Sequence, residues 1–307
     1  MSDKVIYDVI IIGGGAAGLS AASTLHAQSK NIFLFEAQGY LGGRIRSMNG
    51  WADFPIELGA ENIHGSDSWY AKKILELGVK LVDLDSQDSY IDVDGKMVRA
   101  SEVYPNQNPQ SDFLNNLEND YTNGRLKEQN FQEITMAEYL QIIGIPESYL
   151  PLYEGFTARE WGTTLEELSA TSFAELLCDW QSNLDHDFNI ESREFCQSKI
   201  LHLVFKSFID SNKYSLNRPI TKINYENENL VKVTDINGIE TLARKVIITI
   251  PLAILKKNLI EFTPELPIEK RNSIENISVG YGGKLHLKFN KKVWPNDICY
   301  YYSREFH

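Results

Sequence analysis

The chain has 307 residues, 43% of them hydrophobic, with 42 acidic against 30 basic side chains and a net charge of −12. That is enough apolar mass for about two domains with true cores, and it excludes a disordered chain. The acidic balance argues against a nucleic-acid surface; its ordinary consequence is solubility, with at most mild steering of cationic partners.

The first predicted element is an apolar strand around Val5–Ile12, and it runs directly into Gly13-Gly14-Gly15-Ala16-Ala17-Gly18. The glycines fall in the pattern GxGxxG, a helix is predicted from about Ala16, and a second strand, Phe33-Leu34-Phe35, ends in Glu36, 23 residues after Gly13. Strand, glycine turn, helix, strand and acid in that order predict a dinucleotide site. Gly13 allows the tight turn, Gly15 lets backbone approach a pyrophosphate, and Gly18 lets the helix pack on the sheet. The helix N-terminus around Ala17 offers N–H groups and a positive dipole end to the phosphates. Glu36 is suited to accept from ribose hydroxyls and to repel a 2′-phosphate, and Ala37 follows it. Past the second strand, Gly42-Gly43-Arg44 would wrap a second backbone segment around the cofactor, with the guanidinium near the pyrophosphate or the flavin end. A nicotinamide enzyme does not need that clamp, whereas a protein that encloses FAD does.

Downstream, Asp67 or Ser66 is read as the cap of a helix with Trp69, Ile74, Leu75 and Leu77 on its apolar face, stopped at Gly78. Leu81–Leu84 and Tyr90–Val98, turning at Asp94-Gly95, read as strands with a tight hairpin. From Glu102 to Asn130 the composition turns to Asn, Gln, Asp and Pro, which predicts loops or a poorly packed helix. Thr135-Met136-Ala137-Glu138 is a capping box for a short helix ending at Gly144, and 149–161 and 195–209 are further helix candidates. Ile220–Tyr225 and Leu230–Thr234 read as paired strands, Asn237-Gly238 as a turn, and Lys245–Ile250 as a buried strand ended by Pro251 at the first position of a helix. In Gly283–Phe289 apolar residues alternate, so a strand is predicted with Lys284, His286 and Lys288 on one face.

No apolar run reaches the ~18–20 residues of a membrane helix, and Val5–Ile12 is too short for a signal peptide. Cys178, Cys196 and Cys299 are far apart, with no CxxC pair, and read as free thiols in a reducing, cytoplasmic setting. No metal site is indicated.

The sequence resembles the flavin-dependent amine oxidases, nearest to their polyamine oxidase and lysine-specific histone demethylase branch. The resemblance is carried by Glu36-Ala37, Leu41 to Ser47 and Ile56 to Gly65, and again by Leu216 to Tyr225, Val246 to Lys256, Phe262 to Pro267 and Gly283 to Pro295. It implies an α/β fold: a Rossmann-like, glutathione-reductase-like FAD-binding domain (1–85 and 212–270) with an inserted α+β substrate-binding domain (86–211 and 271–307). It implies that Leu58, Gly59, Ala60 and Glu61 touch the flavin, that Ile220 meets the adenine through its backbone, and that Thr249 and Pro251 line the wall near the isoalloxazine. Ordinary sheet core is the competing reading of Ile220, Thr249 and Pro251. Lys284 falls at the family's lysine that holds a water against flavin N5, where desolvation would lower its pKa; a solvated strand face is the alternative.

His64 and Glu61 are placed in the substrate pocket by the same resemblance, and Glu160-Trp161 is a candidate carboxylate and aromatic face. Asn62 stands where relatives carry Trp. The implied reaction is oxidation of a polyamine-like substrate, a small cationic amine, with oxygen as the second partner. A closing C-terminal segment seen in the family is missing from this sequence, so the chain is expected to be truncated: a fragment, a decayed enzyme, or half of one completed by a second polypeptide. Two other functions stay open: a flavin-binding remnant or subunit without turnover, and another FAD oxidoreductase on the same framework, of the desaturase or porphyrinogen oxidase type.

Overall fold

Val9, Ile10, Ile11 and Ile12 are at most 9% exposed, and a strand apolar on both faces needs cover above and below. The computed structural model, which describes residues 5–83, 89–93, 95–103, 109–127, 134–147, 150–155, 157–183, 187–190, 194–295 and 300–302, shows where that cover comes from. The chain divides into two units, Met1–Glu61 with Ser192–Val279, and Asn62–Glu191 with Gly280–His307.

In the first unit, strand β1 (Ile6–Ile12) leads through the glycine turn to helix α1 (Ala16–Ala27) and strand β2 (Ile32–Phe35). A seven-stranded sheet runs in the order Tyr214–Ser215, β2, β1, Glu240–Ile248, Leu230–Asp235, Ile220–Asn227, Glu261–Thr263. The first four strands are mutually parallel, and the antiparallel pairs that follow form the meander by which the chain returns. Successive side chains of β1 point to opposite faces. Val9 and Ile11 therefore pack with Leu19, Leu201, Phe205 and Phe208 on one side, and Ile10 and Ile12 with Phe35, Ile220, Ile223 and Val233 on the other.

That packing moves the domain crossings. Helices Gln197–Val204 and Lys206–Asp210 were expected in the substrate domain, yet Leu201, Phe205 and Phe208 bury against α1 and the sheet. The units meet at 61/62, 191/192 and 279/280 rather than at 85, 211 and 270. The strand expected as continuously buried at Lys245–Ile250 spans Glu240–Ile248, with only Ala243 fully buried and Ile248 38% exposed. Pro251 has extended backbone (ψ 144°) and stands as the N-cap of the Leu252–Lys256 helix, one position before the one expected.

The second unit gathers Phe113, Leu117, Met136, Tyr139, Leu140, Phe173 and Leu177 into one core. The segment read as loop or loosely packed helix contains a 14-residue helix, Pro109–Thr122, whose Phe113 and Leu117 are buried; its polar composition is its solvent face. Thr135 caps Met136–Ile142 through a complete capping box, and Gly144 follows with φ 80°. The Trp69–Glu76 helix is capped by Ser68, not Ser66 or Asp67, because Ser68 Oγ reaches the Ala71 N–H at 3.2 Å. That helix buries Ala71 and Ile74, while Trp69 and Leu75 are half exposed. The hairpin Ser89–Val93/Lys96–Arg99 forms as expected. Leu84, Asp94, Tyr149 and Cys299 lie outside the described residues. Among those described, no helix is long and apolar enough to cross a membrane.

The Gly283–Phe289 segment forms no strand. Its alternation is intact, but a strand exists through hydrogen-bonded neighbours, and Leu285 and Leu287 are 84% and 65% exposed. Lys284 is exposed as well, so the expected desolvation of this lysine is not met.

Candidate cofactor site

The three motif glycines do different physical work. At Gly13 the backbone has φ 108°, and an added Cβ would lie 2.7 Å from Thr249 Oγ1. At Gly18 an added Cβ would lie 1.8 Å from the carbonyl oxygen of Gly13. Gly13 is thus fixed by its backbone angle and by Thr249, and Gly18 by the packing of α1 on the turn. Gly15 has ordinary backbone (φ −75°), and its nearest neighbours to an added Cβ are Gly42 O and Gly43 Cα, both at 4.0 Å. Its lack of a side chain is therefore not explained by packing within the chain.

Gly15 is also the N-cap of α1, with no side-chain cap. The first N–H groups of a helix have no intrahelical acceptor, and here no hydroxyl or carboxylate of the cap residue covers them. Gly42 and Gly43 stand opposite: the Gly42 N–H donates to Gly14 O at 2.8 Å, and Gly43 sits at φ 59° beside Gly15. The result is a cradle walled by backbone, at the dipole end that favours anions. The donor set fits a pyrophosphate.

At the end of β2, Glu36 is 7% exposed. Its Oε2 accepts the Gly14 N–H at 2.5 Å and its Oε1 the Gln38 N–H at 2.7 Å. Two backbone donors aim this carboxylate, whose remaining lone pairs fit ribose hydroxyls. Ala37 beside it is exposed.

The clamp segment folds back on itself as strands β3 (Ser47–Met48) and β4 (Ile56–Glu57). Leu58 N–H donates to Arg46 O at 2.8 Å, Ala60 N–H to Arg44 O at 3.1 Å, and an added Cβ at Gly59 would lie 1.8 Å from Arg44 O. Leu58, Gly59, Ala60 and the exposed Arg44 are thus brought together. Thr249 sits at the glycine turn itself: its N–H and hydroxyl reach Ile12 O at 2.9 and 3.0 Å, and Gly13 O lies 3.1 Å from the hydroxyl. Its side chain is committed to the turn of the phosphate loop.

Glu61 closes the first unit, where its carbonyl accepts from Gln197 Nε2 at 2.8 Å. His64, Trp161 and Lys284 belong to the second unit. His64 is exposed on a short strand opposite Asp187. Trp161 is 39% exposed and meets Phe173 edge-on.

Some neighbours of the site carried no motif. Arg218 N–H donates to Glu36 O at 2.9 Å, its guanidinium stacks 4.9 Å over the Phe35 ring, and Asp235 holds it. Glu57, Ser47, Gln197 and Ser198 form a second cluster at the clamp. Only the faint cue of an arginine two residues before Ile220 could have flagged the first group.

Residues 16–305 match the model of the flavin-containing amine oxidoreductases. The chain belongs to that family. Its cofactor is accordingly FAD. Polyamine oxidase 5 of Oryza sativa subsp. japonica is 29% identical, aligning over 94% of this chain and 59% of that protein, and lysine-specific histone demethylase 2 of Homo sapiens is 26% identical over 94% and 35%. The chain spans about 60% of the length of the polyamine oxidases it matches. Among solved structures, putrescine oxidase bound to putrescine superposes with a TM-score of 0.70 at 16% identity, covering 90% of this chain and 65% of that one. Cyclohexylamine oxidase from Brevibacterium oxydans IH-35A gives 0.70 at 21%, covering 88% and 63%. These likenesses make the fold that of the FAD amine oxidases.

Proposed function

We propose that this chain carries the FAD half of an amine oxidase acting on a polyamine-like substrate. The observation that carries the proposal is the Gly15–Gly43 cradle, open where the chain itself has no use for openness, with Glu36 aimed beside it. Gly13, Gly15, Ala17 and Gly18 form the phosphate turn, Glu36 and Ala37 receive the ribose, and Gly42, Gly43 and Arg44 close over the pyrophosphate. Leu58, Gly59, Ala60 and Glu61 extend that wall. Ile220 serves the adenine through its backbone; Thr249, expected along the isoalloxazine wall, serves the glycine turn instead, and Pro251 keeps the place in that wall that the resemblance implies.

When bound, FAD supplies a two-electron acceptor at flavin N5 for a hydride from the carbon next to nitrogen. In the reaction a secondary amine loses that hydride and one proton to become an imine. Water adds to the imine, and the C–N bond breaks to give an aldehyde and a smaller amine. Dioxygen takes up two electrons and two protons and leaves as hydrogen peroxide. The protein's part is to orient the amine and to hold water. Lys284 is assigned to the water, and His64 and Glu61 to the substrate side.

One observation favours a second reading, a chain that holds flavin without turnover: Lys284 is exposed on an irregular segment. Both readings are tested by the visible spectrum of the purified chain with added FAD, followed by anaerobic spermine. A bound-flavin spectrum that bleaches with amine supports the oxidase, a spectrum that does not bleach supports the second reading, and a chain that takes up no FAD overturns both.

A further inference from the structure

The hairpin β3/β4 pairs only two residues on each side, and an isolated two-stranded hairpin is marginal in water. Something else must hold it. Glu57 Oε2 accepts the Ser47 hydroxyl at 2.5 Å, joining the two strands through their side chains, while Oε1 accepts the backbone N–H of Gln197 at 2.7 Å. Gln197 opens the Gln197–Val204 helix, whose N-cap, Cys196, has no side-chain cap. Glu57 thus caps that helix from 140 residues away in sequence, adding a negative charge at the positive end of the dipole.

Two further bonds make the junction reciprocal. Ser47 N–H donates to Ser198 Oγ at 2.8 Å, and Ser198 N–H donates to Ser47 Oγ at 3.1 Å. Gln197, 2% exposed, donates its side-chain amide to Glu61 O. The capped helix is anchored by Ile200 and Leu201, both essentially buried, the latter in the core that holds α1.

We infer that Glu57 is a positioning residue that latches the cofactor clamp, fixing the residence time of FAD. It touches no part of the cradle itself. Its two oxygens tie both ends of the hairpin to a helix rooted in the sheet, and the hairpin in turn sets Leu58 and Ala60 against Arg46 and Arg44, next to Gly43. The inference rests on the flavin reading above. It predicts that the latch governs the pyrophosphate and flavin side and not the adenosine side, which Glu36 holds by separate bonds.

The test is the rate of FAD release from loaded protein, followed by flavin fluorescence on trapping with excess competitor, beside AMP affinity measured on the apoprotein. For Glu57→Ala, release is expected to quicken about tenfold or more, the scale of losing hydrogen bonds to a charged group, with AMP affinity unchanged. Glu57→Gln, which keeps an acceptor for the Gln197 N–H, is expected to fall between that variant and wild type. Ser198→Ala, milder for folding, is expected to quicken release less. Unchanged release in all three overturns the latch, and so does an equal loss of AMP affinity, which would mark a general structural role. If wild-type protein takes up no FAD, the flavin reading fails and the latch with it.

Discussion

Asp235 holds Arg218 beside the strand end that carries Glu36: its Oδ2 accepts from Arg218 Nε at 2.7 Å and from Nη2, while its Oδ1 accepts the N–H groups of Asn237 and Ile239, both at 2.9 Å. One carboxylate thus shapes the Asn237-Gly238 turn and fixes the arginine whose own N–H meets Glu36 O. Asp235→Asn can keep the turn through its amide oxygen but faces the arginine with a donor. We expect it to destabilise the protein by about 1.5–3 kcal/mol, the scale for hydrogen bonds to charged groups, measured by urea unfolding near neutral pH.

The same residue gives a pH dependence. Burial pushes the Asp235 carboxyl up, but the N–H groups of Ile239 and Asn237 and the Arg218 guanidinium outweigh it and hold it below its ordinary value of 3.8. A depressed folded-state pKa adds stability that is complete above the unfolded value and is lost as pH falls through the folded one. The gap in stability between wild type and Asp235→Asn is therefore expected to be widest above about pH 5 and to narrow in acid, below the ordinary carboxylate pKa. A constant gap from pH 7 to pH 3 would refute this account.

Gly15→Ala and Gly18→Ala separate a ligand's glycine from a packing glycine. At Gly18 the new Cβ would sit 1.8 Å from Gly13 O, so soluble folded protein is expected to be lost. At Gly15 the new Cβ fits at 4.0 Å with permitted backbone angles, so the melting temperature is expected to hold while FAD affinity falls about tenfold or more. Circular dichroism and FAD titration read the two outcomes.

Thr249→Val removes the hydroxyl that reaches Ile12 O and Gly13 O. The cost expected is about 0.5–1.5 kcal/mol, that of one ordinary hydrogen bond, with unchanged bleaching by amine once FAD is saturating. A large change in the reductive rate would instead put Thr249 at the reacting end of the flavin.

Lys284→Met lies at an exposed position, so its effect on stability is expected within about 0.5 kcal/mol. If Lys284 holds the reacting water, turnover with amine falls about a hundredfold or more, the scale of a lost proton-handling group. Steady-state oxygen uptake by the loaded protein decides it.

Most of the nucleotide unit was legible because its signals are local. Val9–Ile12 are apolar on both faces and the glycines sit at fixed spacing; in the second unit the same holds for Thr135 and Glu138, which cap each other within three residues. The sequence is less informative where the packing partners are distant. Leu201, Phe205 and Phe208 have the pattern of an amphipathic helix, and only the sheet they bury against assigns them to the nucleotide unit. Gly283–Phe289 keeps the period of a strand but forms none.

The sequence by itself predicted a dinucleotide-type glycine turn, because such a loop must combine a sharp turn, a close backbone approach and a helix start within six residues, and its further motifs resembled the flavin-dependent amine oxidases. Tertiary structure alone decided which glycine the packing leaves open, that Thr249 serves the turn, and that Glu57 caps a helix 140 residues away. Those facts depend on which atoms meet across the fold, and a hydrogen bond between distant residues leaves no period, run or spacing in the chain to read.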